Sequence, residues 1–364
     1  MEFKRCNRCV MDNKSDKFIQ FDENGYCNYC NKAITEINTT VYFPNEVGKQ
    51  KLESLLQKIK TENKNKRYDC VMGISGGLDS SYLAYLGSKW GLRILGLHID
   101  DGFDTDVSKS NIEKLCKKAN IELRYIRPDS KQYNALTVAY MKAGVPNLAV
   151  PQDNILFGFL YDTIKKEKIK YFLTGGNFAL ESILQKGNTF DAMDVKNIKA
   201  INKKFGTDKI DKLKFTSSYK KYLNLRFKKV VSYMPLNYID YNRERAIKEL
   251  NDFCGFQYYG SKHLENIFTA FVQLYWLPKK FGVDKRTSHL SSMIISGQMS
   301  REEALKELEK PMYDKELMDG YIQIIKDRFN LSDEEFDSIM NAPTHMHQEY
   351  KYDKLSIFLR KFIK

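Results

Sequence analysis

Long apolar stretches are absent from the 364 residues of this chain. The longest are short runs such as residues 94–97, well below the roughly 20 consecutive apolar residues that a membrane-spanning helix needs. The first residues, from Met1 to Cys6, also lack the apolar core of a signal peptide. We therefore expect a cytoplasmic protein without a membrane partner.

Cysteine is also scarce, and seven residues of this type are too few for a disulfide scaffold of this length. Four of them nevertheless form two CxxC pairs, Cys6 with Cys9 and Cys27 with Cys30, separated by 17 residues. This spacing is typical of a zinc site. Four thiolates close a tetrahedral shell and leave no position for water, so we predict a structural zinc. The alternative, two disulfides, is disfavoured in the cytosol.

Acidic residues are fewer than basic ones: the chain has 46 Asp and Glu and 59 Lys and Arg, which gives a net charge of +13. The excess is concentrated in residues 196–229, where 12 basic residues accompany only Asp208 and Asp211 and are interleaved with aromatic residues. Such a segment can indicate nucleic-acid binding. A solvated helical insertion, or a contact with an anionic nucleotide-sugar or a partner protein, would look the same, and the sequence leaves these alternatives open.

Beyond the cysteine pairs, strand-like and helix-like segments alternate. Strands are predicted over residues 69–74, 93–99, 122–126, 170–174 and 230–234, with helices between the first four. Such units predict an α/β fold whose parallel sheet is covered on both faces. We divide the chain into a zinc-binding knuckle with short strands (1–45), a helical linker (46–67), an α/β domain (68–240) that includes the basic segment 196–229, and a helical C-terminal region (241–364).

The most informative segment is the string SGGLDSS at residues 75–81, between the first predicted strand and the helix that follows it. Glycines at such a turn let backbone amides approach an anion, and the start of the helix adds N–H groups and a positive dipole end. The serines supply hydroxyl donors, and Asp79 is suited to hold Mg²⁺ beside phosphate oxygens. A Walker loop is excluded because its spacing and its lysine are missing.

This string resembles the pyrophosphate loop of the ATP pyrophosphatase (PP-loop) superfamily. The resemblance implies a parallel twisted sheet of the adenine-nucleotide alpha hydrolase-like (HUP) type. It also implies that ATP adenylates a carbonyl oxygen while pyrophosphate leaves through the loop. Several relatives carry a histidine at the position of Gly176, so the role of that histidine is not transferred. The positions that the resemblance assigns to ATP are Gly73, Ile74, Ser75, Gly76, Gly77, Asp79, Ser80, Ser81, His98, Asp100, Thr174, Gly175, Gly176 and Asn177.

A narrower resemblance covers nearly the whole chain. The cysteine pairs, TGGNFALES at residues 174–182, GSKHLEN at 260–266 and the long string that begins with LPKKFGVDKR at 277 are similar to the N-acetyl sugar amidotransferases. These enzymes convert an acetamido group into an acetamidino group in bacterial lipopolysaccharide and flagellin-glycan pathways. The resemblance implies UDP- or CMP-linked diacetamido sugars as substrates, among them uronic acids and acids of the pseudaminic and legionaminic type.

The implied reaction needs cations that neutralise phosphate charge in the transition state and polar groups that orient the acetamido group or relay protons. Lys285 and Arg286 are candidates for the first role. Lys262, His263 and Glu265 are candidates for the second. Together with the magnesium-binding aspartate they form the predicted catalytic set. The alternatives are an exposed surface pair for the first two residues and a solvated helix start for the other three.

A source of ammonia is not predicted within the chain. A glutaminase needs an activated cysteine, but the four N-terminal thiols are assigned to zinc, and Cys70, Cys116 and Cys254 lack a suitable sequence context. We therefore expect ammonia from a glutaminase partner, or from free ammonium. In related amidotransferases that partner pair resembles the glutaminase and cyclase of histidine biosynthesis.

Two rival functions share some of these features. A tRNA-thiolating enzyme would have the same loop, although thiolation usually needs a cysteine pair or a cluster-binding CxxC beside it, and no CxxC occurs after residue 30. A zinc-ribbon RNA-binding module would leave SGGLDSS unexplained. We favour the amidotransferase, expect ATP, Mg²⁺ and structural zinc as cofactors, and do not expect a nucleic-acid partner.

Overall fold

The computed structural model describes residues 2–227, 230–260 and 264–355. Its centre is a parallel five-stranded sheet in the order β3-β2-β1-β4-β5. The predicted α/β fold is thereby confirmed, and each of these strands lies inside its predicted range. The strands are β1 (Cys70–Gly73), β2 (Ile94–Ile99), β3 (Glu122–Ile126), β4 (Tyr171–Leu173) and β5 (Val231–Tyr233).

Helices surround the sheet and make up most of the described C-terminal region. In the described part of the chain, no helix is both long and apolar enough to cross a membrane. The α-helices are α1 (Asn28–Glu36), α2 (Glu46–Glu62), α3 (Leu78–Lys89), α4 (Asp106–Lys118), α5 (Ser130–Lys142), α6 (Val150–Glu167), α7 (Phe178–Glu181), α8 (Val195–Phe205), α9 (Ser218–Arg226), α10 (Arg243–Cys254), α11 (Ile267–Phe271), α12 (Arg286–Ile295), α13 (Arg301–Glu309), α14 (Lys315–Phe329) and α15 (Asp333–Asn341).

Side chains of the central strand alternate between two hydrophobic cores, as the pleat of a strand requires. Met72 belongs to the core that contains Leu83 of α3 and Ile112 of α4. Its neighbour Val71 belongs to the core that contains Leu160 of α6. Helices therefore cover both faces of the sheet, as the strand–helix pattern predicts.

The order of the strands reverses at β1, because β2 and β3 lie on one side of it and β4 and β5 on the other. Connections diverge at such a point and leave a crevice beyond the carboxyl ends of the strands. The register pairs Gly73 of β1 with Leu97 of β2, and Met72 with Leu173 of β4. The segments that follow β1, β2 and β4 consequently meet at one crevice.

The N-terminal knuckle differs from its prediction. Within its described residues there are isolated bridges, such as Arg5 with Asp12, instead of short strands, because the chain folds around the four cysteine side chains. These cysteines share a core with the helices of the sheet. The Arg301 guanidinium donates to the carbonyl oxygens of Cys6 (3.0 Å) and Cys9 (3.2 Å). The knuckle is thus fastened to the first turn of α13.

The C-terminal region is helical, as predicted, and α11 continues directly into a π-helix, Val272–Phe281, that contains Pro278. Proline lacks an N–H and its ring clashes with the carbonyl one turn earlier in a regular α-helix. The wider π turn accommodates that ring. Trp276 in this helix is fully buried, and its indole N–H donates to the carbonyl oxygen of Val145 at 3.1 Å.

Candidate functional site

The four cysteines of the knuckle come together as the spacing predicts. Their side chains are fully buried and their ligand atoms all lie within 4.8 Å of one another. The Sγ atoms of Cys6 and Cys30 are 3.7 Å apart, and those of Cys9 and Cys27 are 3.6 Å apart. Zinc–sulfur bonds of about 2.3 Å in a tetrahedron would place the sulfurs about 3.8 Å apart. The donor set and its size therefore fit one metal ion.

The SGGLDSS string forms the turn between β1 and α3. Gly76 has a φ of +79°, and a Cβ there would lie 2.0 Å from the Ser108 hydroxyl oxygen, so only glycine fits. Gly77 begins the helix without a side-chain cap. The hydroxyl oxygens of Ser75 and Ser80 are 2.9 Å apart across the turn. Uncapped helix N–H groups and two hydroxyls are the donors that a phosphate group needs.

A cavity of about 670 Å³ opens beyond the carboxyl ends of β1, β2 and β4. Its walls come from the turn after β1, the end of β2, the turn after β4, α6 and the C-terminal region. The predicted site residues that line it are Gly73, Ile74, Ser75, Gly77, Asp79, Ser80, His98, Thr174, Gly175, Gly176 and Glu265. Lys262 and His263 lie outside the described residues.

Four residues assigned to ATP do not line this cavity. Gly76 faces α4, and Ser81 is fully buried inside α3. Asn177 caps α7, because its side-chain oxygen accepts from the N–H of Leu180 at 2.9 Å. Asp100 pairs with Arg127 at 2.8 Å. Their observed contacts shape the turns, so a direct contact with the nucleotide is not supported for these four positions.

His98 lines the cavity but both ring nitrogens are engaged. Nδ1 lies 2.7 Å from the carbonyl oxygen of Ile74, and Nε2 lies 2.8 Å from Asp104 Oδ2. Burial lowers the pKa of His98, but the hydrogen bond and charge of Asp104, with the Ile74 carbonyl, outweigh it and raise the pKa above its ordinary value. A protonated ring donates at both positions. His98 thereby ties the end of β2 to the turn after β1 and positions that turn.

Neither Lys285 nor Arg286, the predicted charge-neutralising pair, lines the cavity. The guanidinium of Arg286 pairs with Asp284 at 2.9 Å. It also donates to the carbonyl oxygens of Glu307, Leu308 and Lys310 at the end of α13. Lys285 Nζ lies 3.2 Å from the side-chain oxygen of Asn188. These contacts hold α12 against α13, so Arg286 is a packing residue.

Arg243, at the start of α10, is the arginine that lines the cavity in the described part of the chain. Its guanidinium donates to the Tyr258 hydroxyl at 3.1 Å. Nearby, the buried Tyr241 hydroxyl donates to Asp79 Oδ1 at 2.5 Å. The hydroxyl oxygen of Tyr259 accepts from the N–H of Leu78 at 3.0 Å. The aspartate and the start of α3 are therefore held by side chains from around α10.

Sequence reasoning missed these residues because they are far from the loop along the chain and carry no local motif. Glu181 and His289 also line the cavity without having been assigned a role. A signal existed for these two residues, because each lies inside a string that carries the family resemblance. For Arg243 and the three tyrosines, a single sequence offers no such signal.

The opposite end of the cavity is mainly apolar, with Phe157 and Leu160 of α6 and Phe172 of β4 in its wall. Asp153 lies in this wall, and burial raises its pKa to about 6. Lys221 of α9, from the basic segment, reaches this end with its Nζ 5.8 Å from the centre of the Phe157 ring. The cavity therefore has a polar end at the loop and an aromatic end beneath α9.

Residues 265–363 match a family model described as LPS biosynthesis protein WbpG-like, C-terminal domain. This match bears out the predicted family resemblance. An uncharacterized protein of Methanocaldococcus jannaschii is 22% identical over 315 residues, which are 86% of this chain and 96% of that protein. Mitochondrial tRNA-specific 2-thiouridylase 1 of Schizosaccharomyces pombe is 28% identical over 127 residues, or 30% of this chain and 31% of the relative.

The solved structures that match this chain include NMN synthetase from Francisella tularensis. It is 14% identical with a TM-score of 0.39, and the match covers 78% of this chain and 97% of that one. The U34-tRNA thiolase NcsA from Methanococcus maripaludis, solved with its 4Fe-4S cluster, is 14% identical with a TM-score of 0.34. That match covers 90% of this chain and 89% of the thiolase.

Proposed function

We propose that this chain, whose C-terminal part matches a WbpG-like domain of lipopolysaccharide biosynthesis, is an ATP-dependent sugar amidotransferase. It converts an acetamido group of a UDP- or CMP-linked sugar into an acetamidino group and releases AMP and pyrophosphate. Diacetamido uronic acids and acids of the pseudaminic and legionaminic type are the proposed sugars. The reaction takes place in the cytoplasm.

One observation carries this proposal: the matched domain forms a wall of the cavity that contains the pyrophosphate loop. Glu265, Asn266, Thr269 and His289 belong to the matched residues and line that cavity. A Cβ at Gly77 would lie 3.2 Å from Glu265 Oε1, so this carboxylate lies against the loop. The loop and the matched domain thus line one cavity, which supports a reaction between a nucleotide and a sugar.

The residues of the loop fit the triphosphate of ATP. The N–H groups at the start of α3 and the hydroxyls of Ser75 and Ser80 would hold the departing pyrophosphate. Asp79 would hold Mg²⁺, which offsets phosphate charge when bound. Arg243 takes the charge-neutralising role first assigned to Lys285 and Arg286, because its guanidinium lines the same end of the cavity.

The acetamide oxygen attacks the α-phosphorus of ATP, and the bond to pyrophosphate breaks. The resulting O-adenylyl imidate has AMP as a leaving group, which the original amide lacked. Ammonia then adds to the imidate carbon and AMP departs with the electron pair of the carbon–oxygen bond. Both steps need water to be excluded, and the aromatic wall around Phe157 serves that purpose.

Ammonia comes from a separate glutaminase or from free ammonium. The seven cysteines are all described, and none lines the cavity. Burial raises the pKa of Cys116 to about 12 and raises the pKa values of Cys70 and Cys254. Such thiols are poor nucleophiles because the thiolate is the reactive form. The chain therefore has no thiol suited to hydrolyse glutamine.

Thiolation of tRNA is the second candidate function, and the 28% identity with a 2-thiouridylase over 127 residues favours it. The absence of cysteine from the cavity wall weighs against thiolation, because thiolation would need a sulfur carrier at the cavity. The sulfur atoms of the four clustered cysteines also lie as close together as the ligands of a single metal ion do. A 4Fe-4S cluster would spread them further apart, since each of its irons takes one sulfur.

Mass spectrometry tests the proposal. Protein with ATP, Mg²⁺ and high ammonium is incubated with a panel of UDP- and CMP-linked diacetamido sugars. Amination should lower the sugar mass by about one dalton and make the substituent cationic, because an amidinium delocalises its charge as a guanidinium does. AMP and pyrophosphate should form in equal amounts, and Asp79→Asn should abolish both.

Three results would contradict the proposal. Formation of ADP and phosphate would exclude adenylation. Efficient use of glutamine by the isolated chain would refute the need for a glutaminase partner. Incorporation of sulfur into tRNA, with unchanged sugars, would establish the second candidate instead.

A further inference from the structure

One face of α6 forms a long wall of the cavity. Residues three or four positions apart on a helix share a face. Five residues of α6 with these spacings line the cavity: Asp153, Leu156, Phe157, Leu160 and Tyr161. The ring of Phe157 packs against those of Tyr161 and Phe172, with centroids 6.1 Å and 6.3 Å apart. Asp153 is therefore a charged residue in an otherwise apolar and aromatic wall.

The carboxylate of Asp153 has no protein partner. Among the residues that the structure describes, none donates a hydrogen bond to it or forms an ion pair with it. Burial raises its pKa to about 6, yet the residue is only half-buried and its oxygens keep accessible surface. Because the side chain lies deep in the protein and in the cavity wall, that accessible surface opens into the cavity.

A neighbouring carboxylate shows how a buried acid is satisfied in this region. Asp101 accepts from the side-chain amides of Gln152 at 2.8 Å and Asn266 at 3.2 Å, and from the N–H of Phe103 at 3.0 Å. An ionised carboxylate only accepts hydrogen bonds, and apolar surroundings are costly for it when it accepts none. The Asp153 carboxylate is thus suited to a ligand that donates hydrogen bonds.

An accepting carboxylate beside aromatic rings suits a flat heterocycle that carries an amino group. Nucleobases stack on aromatic side chains because every base has a π-face, which a sugar lacks. The pyrophosphate loop, which would hold the phosphates of a nucleotide, lines the same cavity. At about 670 Å³ the cavity is within the usual size range of small-molecule sites. The base of that nucleotide is the heterocycle that can reach the aromatic wall.

We propose that Asp153 is the residue that selects adenine: its carboxylate accepts a hydrogen bond from the amino group of the base, whose ring lies against Phe157. This inference rests on the proposed use of ATP and adds to it the residue that distinguishes the base. A site built to bond an amino group rejects an analogue without one, because its own polar group is then left unpaired. In this role Asp153 determines which nucleotide binds and takes no part in the chemical steps.

Binding of ATP and of purine riboside triphosphate, which has hydrogen in place of the amino group, tests this role. Titration calorimetry with Mg²⁺ and without sugar measures both affinities in the absence of turnover. The wild type should bind ATP about tenfold tighter or more, because the hydrogen bond is made to a charged group. In Asp153→Leu this preference should fall to near one, with binding of the analogue changed by less than about threefold.

Two further variants separate recognition of the base from a structural effect. Asp153→Asn should keep part of the preference for ATP, because the amide oxygen can still accept from the amino group. Asp162→Leu is the matched control, since it places the same substitution on the same helix. Asp162 pairs with Lys214 and does not line the cavity, so this variant should keep the preference of the wild type.

Three results would overturn the inference while leaving the proposed use of ATP in place. They are equal binding of ATP and the analogue by the wild type, a preference that survives in Asp153→Leu, and an equal loss of affinity for both nucleotides in that variant. Tighter binding of GTP than of ATP would assign the carboxylate to guanine and overturn the inference as well. Failure of the wild type to bind ATP would overturn the inference and the proposed function together.

Discussion

Arg243 and Arg286 both have a guanidinium group, but the two groups contact different residues. Arg286 pairs with Asp284 and donates to carbonyl oxygens at the end of α13, so its donors are used in packing two helices. Arg243 contacts the Tyr258 hydroxyl and lines the cavity near the loop. A phosphate contact would require donors that face the ligand, and of these two arginines Arg243 is the one that lines the cavity.

Substitution of each arginine by methionine should separate activity from stability. Arg243→Met should lower the rate of pyrophosphate release by about 10²-fold with a small effect on unfolding, because it removes a cation beside the phosphates. Arg286→Met should cost about 2 kcal/mol of unfolding free energy, because hydrogen bonds to charged groups are lost, and should leave the rate nearly unchanged. Steady-state kinetics and urea unfolding of both variants measure this. The reverse pattern would return the charge-neutralising role to Arg286.

At the scale of elements, hydrogen bonds connect the N-terminal knuckle to the C-terminal helices α12 and α13. Arg301 at the start of α13 holds the carbonyl oxygens of Cys6 and Cys9, and the Ser291 hydroxyl of α12 accepts from the N–H of Val10 at 3.1 Å. α12 in turn carries His289 to the cavity. The cysteine cluster is therefore packed against α12 and α13, and α12 carries a residue that lines the cavity.

Metal analysis should find about one zinc per chain. Cys9→Ser should lose that zinc and lower the thermal midpoint, because the energy of metal binding contributes to folding. Cys254→Ser is the control, since Cys254 is half-buried and lies outside the cluster, and it should keep the metal. Iron in place of zinc, or a Cys9→Ser protein as stable as the wild type, would refute a structural zinc.

At the scale of the whole molecule, the basic segment and the C-terminal segment meet around one buried histidine. His347 stacks on Phe190 with ring centroids 4.3 Å apart, and its Nδ1 lies 3.1 Å from the side-chain oxygen of Asn197 in α8. Ile198 and Ile201 of the same helix are also buried. Part of the basic segment is therefore core structure, while Lys221 of α9 reaches the cavity.

The burial of His347 makes stability depend on pH. Burial lowers its pKa to about 3, whereas the unfolded chain titrates near 6.5. Below pH 6.5 only the unfolded state takes up the proton, so the stabilising contribution of His347 is lost as the pH falls. The destabilisation caused by His347→Asn should therefore shrink by about 2 kcal/mol between pH 7 and pH 5.

Urea unfolding of the wild type and the variant at both pH values measures this difference. Comparing the variant with the wild type removes the effect of other groups, such as Asp101, whose pKa burial raises to about 6. His345→Asn is the control for replacing a histidine outside the core, because that side chain is 40% exposed. An equal penalty for His347→Asn at both pH values would contradict a neutral buried ring.

Short-range sequence patterns were sufficient to predict the framework of strands and helices. Alternating apolar segments predicted all five strands and their parallel arrangement, since strand and helix periodicities are read over a few residues. The CxxC spacing predicted the cysteine cluster, and SGGLDSS predicted the turn between β1 and α3 that lines the cavity, because both patterns are confined to a short stretch. Strings in the C-terminal region carry the family resemblance, and a WbpG-like C-terminal domain model matches residues 265–363.

Only the tertiary structure decided which side chains share the site. Arg286 lies in a string that carries the family resemblance and Arg243 does not, yet Arg286 packs α12 against α13 whereas Arg243 lines the cavity. His98 lies near the end of β2 and Asp100 follows that strand, yet Asp100 pairs with Arg127 whereas His98 contacts the turn after β1. Tyr241 is 162 positions away from Asp79, whose carboxylate it contacts. Such meetings depend on how distant helices pack, and no local pattern encodes them.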